Sequence, residues 1–238
     1  MPRSIFDQDL QRLKDEILSL GSMVENALVE SVETLKRRDQ DGARQIIFTD
    51  KEINRRRFAI ESECLVLIAT QQPMASDLRM LAAILDISSE LERIGDYAKG
   101  IARINLMIGE QPLVKSLVDI PLMAEKASTM LHQALTAFIE KDVDLAARIP
   151  AQDDEMDALY NQVYRDLIAI IMENPSAIDQ ANYLLWAAHN LERAADRVTN
   201  ICERVIFTVT GKMVEITADD FGSPEDVPTE MDDISSVN

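Results

Sequence analysis

Apolar residues recur every three to four positions along most of the chain. Leu10, Leu13, Ile17, Leu20, Val24, Leu28, Val32 and Leu35 trace one stripe, the spacing of a single helical face, and predict a first helix from about Ser4 to Arg38. A second, from about Gln40 to Ala69, carries Ile46, Ile53, Ile60, Cys64 and Leu65. Pro73 in "QQPMASD" stops it, and Ser76 is the expected N-cap of the next. The third, about Asp77 to Met107, holds Leu78, Leu81, Leu85, Leu91, Ile94 and Ile101. Pro121 is placed in the first turn of a fourth helix that ends near Lys141. A fifth is expected from Val143 to Glu173, and "NPSA" separates it from a sixth that ends near Thr210, with Gly211 as terminator. Helices of about 30 residues are roughly 45 Å long, and short connections force them to pack as antiparallel neighbours. No alternating strand pattern competes, so the fold class is all-α with six long helices.

The six divide into two similar sets of three. "LKRRDQDGARQIIFTDKEINRRR" aligns with "FIEKDVDLAARIPAQDDEMDALY" at an offset of 103, so Asp39, Asp41, Ala43 and Asp50 meet Asp142, Asp144, Ala146 and Asp153. Pro73 meets Pro175 at 102, and "LERIGDYAKGIAR" meets "LERAADRVTNICER" at 100. The drift falls in loops and helix edges. The expected organisation is a three-helix bundle over 1–112, a second over 113–211, and an acidic tail over 212–238. From Glu215 onward there are eight acids and no Lys or Arg, with Pro224 and Pro228, the composition of a disordered segment.

Charge narrows the function classes. The chain has 42 acidic against 24 basic residues, a net charge of −18, opposite to the basic footprint of a nucleic-acid binder or of a segment drawn to anionic lipid. No apolar run approaches membrane-span length. Cys64 and Cys202 sit in apolar helical context and read as small buried hydrophobes of a reducing, cytoplasmic protein. With only His132 and His189 besides, no zinc-type spacing exists. Phosphate loops, nucleophile elbows, H-E-x-x-H and paired Glu-x-x-His motifs are all missing, so the expectation is not an enzyme.

The chemistry lies in repeated carboxylates. Glu92 and Asp96, like Glu192 and Asp196, stand at i, i+4 and continue the packing faces of their helices, with Lys99 and Thr199 one step further along. Like charges so placed destabilise a helix, and desolvation adds to the cost. Either an arginine from a neighbouring helix compensates, or a hard cation does. Asp153 and Asp157 form a further i, i+4 pair on the antiparallel neighbour. The set Asp153, Asp157, Glu192 and Asp196 suits iron, manganese or magnesium better than zinc. In the first repeat the matching set is Asp50, Asn54, Glu92 and Asp96, where the neutral Asn54 points to a weaker site. His189, three residues before Glu192, is a peripheral candidate ligand. Trp186 and Tyr183 read as packing anchors, and the 11 Met residues as core filler.

The stretches "FDQDLQRLKDEILSLGSMVENAL", "PMASDLRMLAAILDISSELERIGDYAKGIA" and "LLWAAHNLERAADRVTNICE" resemble the PhoU family of phosphate-transport accessory and phosphate-signalling proteins, over about residues 5–208. The resemblance implies two three-helix bundles and metal held at the Glu/Asp-x-x-x-Asp motifs, here Asp50 to Asn54, Glu92 to Asp96, Asp153 to Asp157 and Glu192 to Asp196. It implies a negative regulator that keeps the phosphate-starvation response off when phosphate is ample. Such a protein is expected to link the ATPase subunit of a phosphate ABC transporter to a sensor histidine kinase, in the cytoplasm and at the membrane only through those partners, and to assemble as a homo-oligomer such as a dimer. Asn54, "AAD" in place of "IGD" in the second motif, and Tyr97 and Arg197 after the motif aspartates depart from the family pattern. Two further classes stay open: a metal-storage or metal-dependent bundle, and a phosphate-transport partner that never contacts a kinase.

Overall fold

The structure, a computed structural model, describes residues 3–216. The acidic tail expected over 212–238 therefore lies largely outside the described residues. Seven α-helices follow one another among those described: α1 (Arg3–Arg37), α2 (Gln40–Gln71), α3 (Ala75–Ile108), α4 (Asp119–Glu140), α5 (Val143–Arg148), α6 (Asp153–Glu173) and α7 (Ile178–Thr210). Six are long, as the apolar periodicity requires. Helices α1, α2 and α3 pack together, as do α4, α6 and α7; α3 against α7 and α1 against α4 join the two sets.

The expected single helix over Val143–Glu173 is broken. A 3-10 turn at Pro150–Gln152 separates α5 from α6. Proline has no N–H to continue the ladder and its ring collides with the carbonyl four residues back. The first repeat has Ile47 at the matching position, and α2 runs through it. A second departure is the start of α3: the N-cap position falls on Met74, with no side-chain cap, and Ser76 lies inside the helix.

The α1–α2 and α4–α5 turns are built alike. Arg38 and Lys141 take φ of 57° and 56°, and the following Asp39 and Asp142 N–H groups donate to Thr34 and Ala137 carbonyls at 2.8 and 2.9 Å, closing each helix with a left-handed residue. The same two aspartates then cap the next helix, accepting from the N–H of Gly42 and of Leu145, each at 2.9 Å. One aspartate thus ends one helix and starts another in both repeats.

A continuous apolar core runs through both sets of helices. The two motif segments bury the same positions, 91, 94, 95 and 98 against 191, 194, 195 and 198. Each fully buried Leu contributes about 1.5–3 kcal/mol relative to exposure. Gly95 is where close approach is needed, since a Cβ there would lie 3.2 Å from the Ile53 Cδ1 of α2. Between the repeats, the Arg193 guanidinium stacks 5.2 Å from the Tyr97 ring, and Asn200 Nδ2 donates to Glu90 Oε2 at 3.3 Å. Beyond Gly211, Val214 and Ile216 pack back onto the core, and the Ile216 N–H donates to Glu203 at 3.0 Å.

Three apolar residues assigned to packing are exposed: Leu65 (59%), Leu78 (44%) and Trp186 (48%). Leu67 takes the buried position on α2 instead of Leu65. Tyr183 does pack against the core, with its ring centroid 6.0 Å from that of Trp186. The two cysteines are buried and unpaired, and burial pushes both thiols up to about 12.

Candidate functional site

The fold brings together each of the two four-residue sets, on α2 and α3 in the first repeat and on α6 and α7 in the second. In the second, Asp153 and Asp157 occupy the first two turns of α6, immediately after the Pro150 break, and Glu192 and Asp196 lie midway along α7. Burial, and then mutual repulsion, oppose ionisation at three of them, Asp153, Glu192 and Asp196. Burial pushes the Asp153 carboxyl up to about 6, with Asp196, Asp157 and Glu192 adding to the rise. Burial and Asp196 raise Glu192, and burial raises Asp196 against the pull of Arg197. Asp153 Oδ1 is buried with no hydrogen-bond partner.

Two residues outside the expected ligand set complete the surroundings. His189 Nδ1 lies 3.1 Å from Glu192 Oε2, and the Tyr160 ring lies 6.1 Å from the His189 ring. Burial and the nearby Glu192 hold the Tyr160 hydroxyl above its ordinary pKa. Tyr160 is the residue sequence reasoning missed, although it sits one turn beyond Asp157 and so faces the same way.

The first cluster has the same frame and different charge. Asp50 is 5% exposed, and its Oδ2 accepts from Lys99 Nζ at 2.7 Å. Lys99 also donates to Asp96 Oδ1 at 3.1 Å, so one ammonium ties α2 to α3. The Asp50 hydrogen bond holds the Lys99 pKa above its usual value. Asn54 turns its Nδ2 toward Asp50, donating to the backbone carbonyl at 3.0 Å and lying 3.4 Å from Oδ2. Burial and Asp96 raise Glu92, while the Arg57 guanidinium from α2 opposes the rise. Arg57 also pairs with Glu61 at 2.7 Å. Three carboxylates here face two cations. At the aligned positions of the second repeat stand Tyr160 and Thr199, both neutral.

The fit to a metal therefore differs between the repeats. Among the described residues no three His, Cys, Asp or Glu side chains already converge closely enough to hold an ion. The second cluster nonetheless has the right donors, four carboxylates of which Asp153 Oδ1 and Glu192 Oε2 are buried with no hydrogen-bond partner, the chemistry of a hard-cation site. In the first, Lys99 already bridges Asp50 Oδ2 and Asp96 Oδ1, Asp50 Oδ1 alone staying unmatched, and Asn54 turns a donor rather than a lone pair toward Asp50, so the residues present do not fit a metal.

A polar cleft between α3 and α7 is lined by Asp86, Ser89, Glu90, Arg93, Asn200, Glu203 and Arg204. Arg204 lies 3.6 Å from both Asp86 and Glu203, and Arg197 lies 3.6 Å from Glu90. Among the described residues no helix is long and apolar enough to cross a membrane.

Comparison with known proteins agrees with this architecture. The PhoU domain model matches residues 17–104 and again 120–205, once per repeat. The chain is 36% identical over 220 residues to the phosphate-specific transport system accessory protein PhoU homolog of Clostridium acetobutylicum, covering 91% of this chain and 99% of that one. It is 35% identical over 207 residues to the phosphate-specific transport system accessory protein PhoU of Escherichia coli, covering 87% and 86%. The crystal structure of the phosphate transport system regulatory protein PhoU from Streptococcus pneumoniae superposes with a TM-score of 0.81 at 32% identity, over 88% of this chain and 99% of that one. PhoU from Pseudomonas aeruginosa gives 0.81 at 34%, over 87% and 100%. Two matches of one domain model, with full-length relatives above 30% identity, are decisive: the chain belongs to the PhoU family, the accessory and regulatory proteins of phosphate transport.

Proposed function

We propose that the chain is a non-catalytic adaptor that represses the phosphate-starvation response and restrains phosphate uptake. It binds the ATPase subunit of a phosphate ABC transporter and a sensor histidine kinase, and holds the kinase inactive when phosphate is ample. The observation that carries this reading, beyond the family, is the distribution of exposed apolar side chains along long helical faces. Phe58, Leu65 and Val66 on α2 and Leu78 on α3 stand in solvent, as do Ile168 and Met172 on α6 and Trp186 on α7. Exposed aromatic and aliphatic groups rimmed by charge are a common composition for a protein contact surface. Contact with the membrane comes through the partners, in keeping with the acidic surface.

The test is a phosphate-starvation reporter in a strain lacking the gene, grown in ample phosphate. Constitutive expression, reversed by the wild-type gene but not by Phe58→Glu/Val66→Glu or Ile168→Glu/Trp186→Glu, is expected. A silent reporter, together with failure of the purified protein to bind the kinase or the ATPase subunit, refutes the adaptor and leaves a transport-coupled role. A metal-binding role is favoured by one specific observation, the four mutually repelling carboxylates of the second cluster, with Asp153 Oδ1 and Glu192 Oε2 both buried and unmatched and no lysine among them. Asp153, Asp157, Glu192 and Asp196 would hold iron, manganese or magnesium, which supplies positive charge between α6 and α7.

A further inference from the structure

We propose that Lys99 is a built-in cation standing where a metal ion would sit in the first cluster, so that this chain carries one metal-dependent and one metal-independent copy of the same helix–helix joint. The proposal rests on the reading of the second cluster as the metal site only for its contrast; the role of Lys99 stands on the first cluster alone.

The geometry is that of a bridging ion. Lys99 Nζ contacts a carboxylate on each of two helices, Asp50 on α2 at 2.7 Å and Asp96 on α3 at 3.1 Å. Asp50 is nine-tenths buried, and a buried carboxylate without a partner is strongly destabilising. The lysine stem is itself largely covered, with 21% of its side chain exposed, so its charge is committed to the cluster. A divalent ion on Asp50 Oδ2 would lie against the ammonium and be repelled by it. Asn54 aims an N–H at Asp50 where a metal would need an oxygen lone pair. Arg57 supplies a second positive charge facing Glu92. At these three positions the second repeat has Asp157, Tyr160 and Thr199 in place of Asn54, Arg57 and Lys99, and the cations that remain near the second cluster, Arg193, Arg197 and His189, all sit on α7 and so do not bridge it to α6. Loss of metal from the protein then loosens α6 against α7 and leaves α2 against α3 intact.

The experiment uses the full chain, stripped with EDTA and titrated with Mn²⁺, with stoichiometry read by elemental analysis and melting temperature by circular dichroism. In the wild type, Glu192→Gln is expected to remove bound Mn²⁺ while Glu92→Gln leaves it unchanged. Lys99→Thr, which installs the residue of the other repeat, is expected to melt lower in EDTA, to bind additional Mn²⁺ in a manner sensitive to Glu92→Gln, and to regain stability with it. Lys99→Arg, which keeps the charge, is expected to gain no Mn²⁺. The converse change, Thr199→Lys, is expected to abolish the Mn²⁺ response of the second cluster and to raise the melting temperature in EDTA, and it decides the matter where Lys99→Thr fails to fold. Equal loss of wild-type Mn²⁺ on Glu92→Gln and Glu192→Gln overturns the proposal. So does a folded Lys99→Thr that neither loses stability nor takes up Mn²⁺. Absence of Mn²⁺ from the wild type with uptake by Lys99→Thr refutes the metal reading of the second cluster and supports the role of Lys99.

Discussion

Asp153 offers the sharpest test of the second cluster, because its charge works against the fold when no cation is present. Its carboxyl sits at about 6 in the folded protein against 3.8 ordinarily, chiefly through burial and then through Asp196, Asp157 and Glu192. Two units correspond to about 3 kcal/mol at 1.36 kcal/mol per unit. Solvent screening of a partly exposed group reduces this, to about 1–2 kcal/mol. The sign follows from proton counting. Between pH 4 and 6 the folded chain holds a proton that the unfolded chain has released, so stability falls as pH rises through that window. Above it the full cost is present; below it there is none. Asp153 also stands at the start of α6, where a negative charge gains about 0.3–1 kcal/mol from the helix dipole. That gain is smaller than the combined cost of burial and repulsion, so the charge is net destabilising.

Asp153→Asn is therefore expected to stabilise the metal-free protein by about 1 kcal/mol at pH 8 and to leave it nearly unchanged near pH 4. For a chain of this size 1 kcal/mol raises the melting temperature by about 2–4 °C. The assay is thermal denaturation in EDTA across pH 4.5–8, on wild type and variant side by side. With excess Mn²⁺ at pH 8 the order should invert, since the variant lacks a ligand. A variant that melts lower than wild type in EDTA at pH 8 would falsify the electrostatic reading, because the carboxylate would then be stabilising the fold. A difference that does not change with pH sinks it equally.

The repeated features make three further expectations. Asp39→Ala and Asp142→Ala each remove a side-chain cap and should cost about 0.5–2 kcal/mol in urea titrations; no loss at either position contradicts the shared turn geometry. Leu91→Ala and Leu191→Ala delete fully buried side chains at aligned positions and should each cost about 2–5 kcal/mol, with a loss below 1 kcal/mol refuting the placement. Cys64 and Cys202, with thiols near 12, should be inert to a disulfide reagent at pH 8 until denaturant exposes them; fast native labelling of either refutes its burial.

Helical periodicity reports what a chain does locally, which is why the six long helices were legible from apolar spacing, whereas the starts of α3 and α6 were not. The break at Pro150 went unread, since the expected helix ran through it from Val143 to Glu173, although the proline itself carries the signal. The exposed Leu65, Leu78 and Trp186 mark a different limit: an apolar residue beside the buried stripe satisfies the period whether it faces a neighbouring helix or solvent, and only packing separates the two. The carboxylate sets follow the same logic in reverse. Spacing alone put Glu92 with Asp96 and Glu192 with Asp196, since i, i+4 fixes a shared face. What spacing left open was the compensating charge. Lys99 was on the face and Arg57 on the neighbouring helix, yet whether a long flexible cation points inward depends on the desolvated partner waiting there. Asp50, buried at 5% exposure, is that partner. Asp153 sits at the matching position, but the residues there that would take the places of Lys99 and Arg57 are Thr199 and Tyr160, and neither carries a positive charge. Two similar repeats thus arrive at different electrostatics through three substitutions, Asn54 for Asp157, Arg57 for Tyr160 and Lys99 for Thr199, because each changes the charge or the donor that meets the same helix-borne carboxylates.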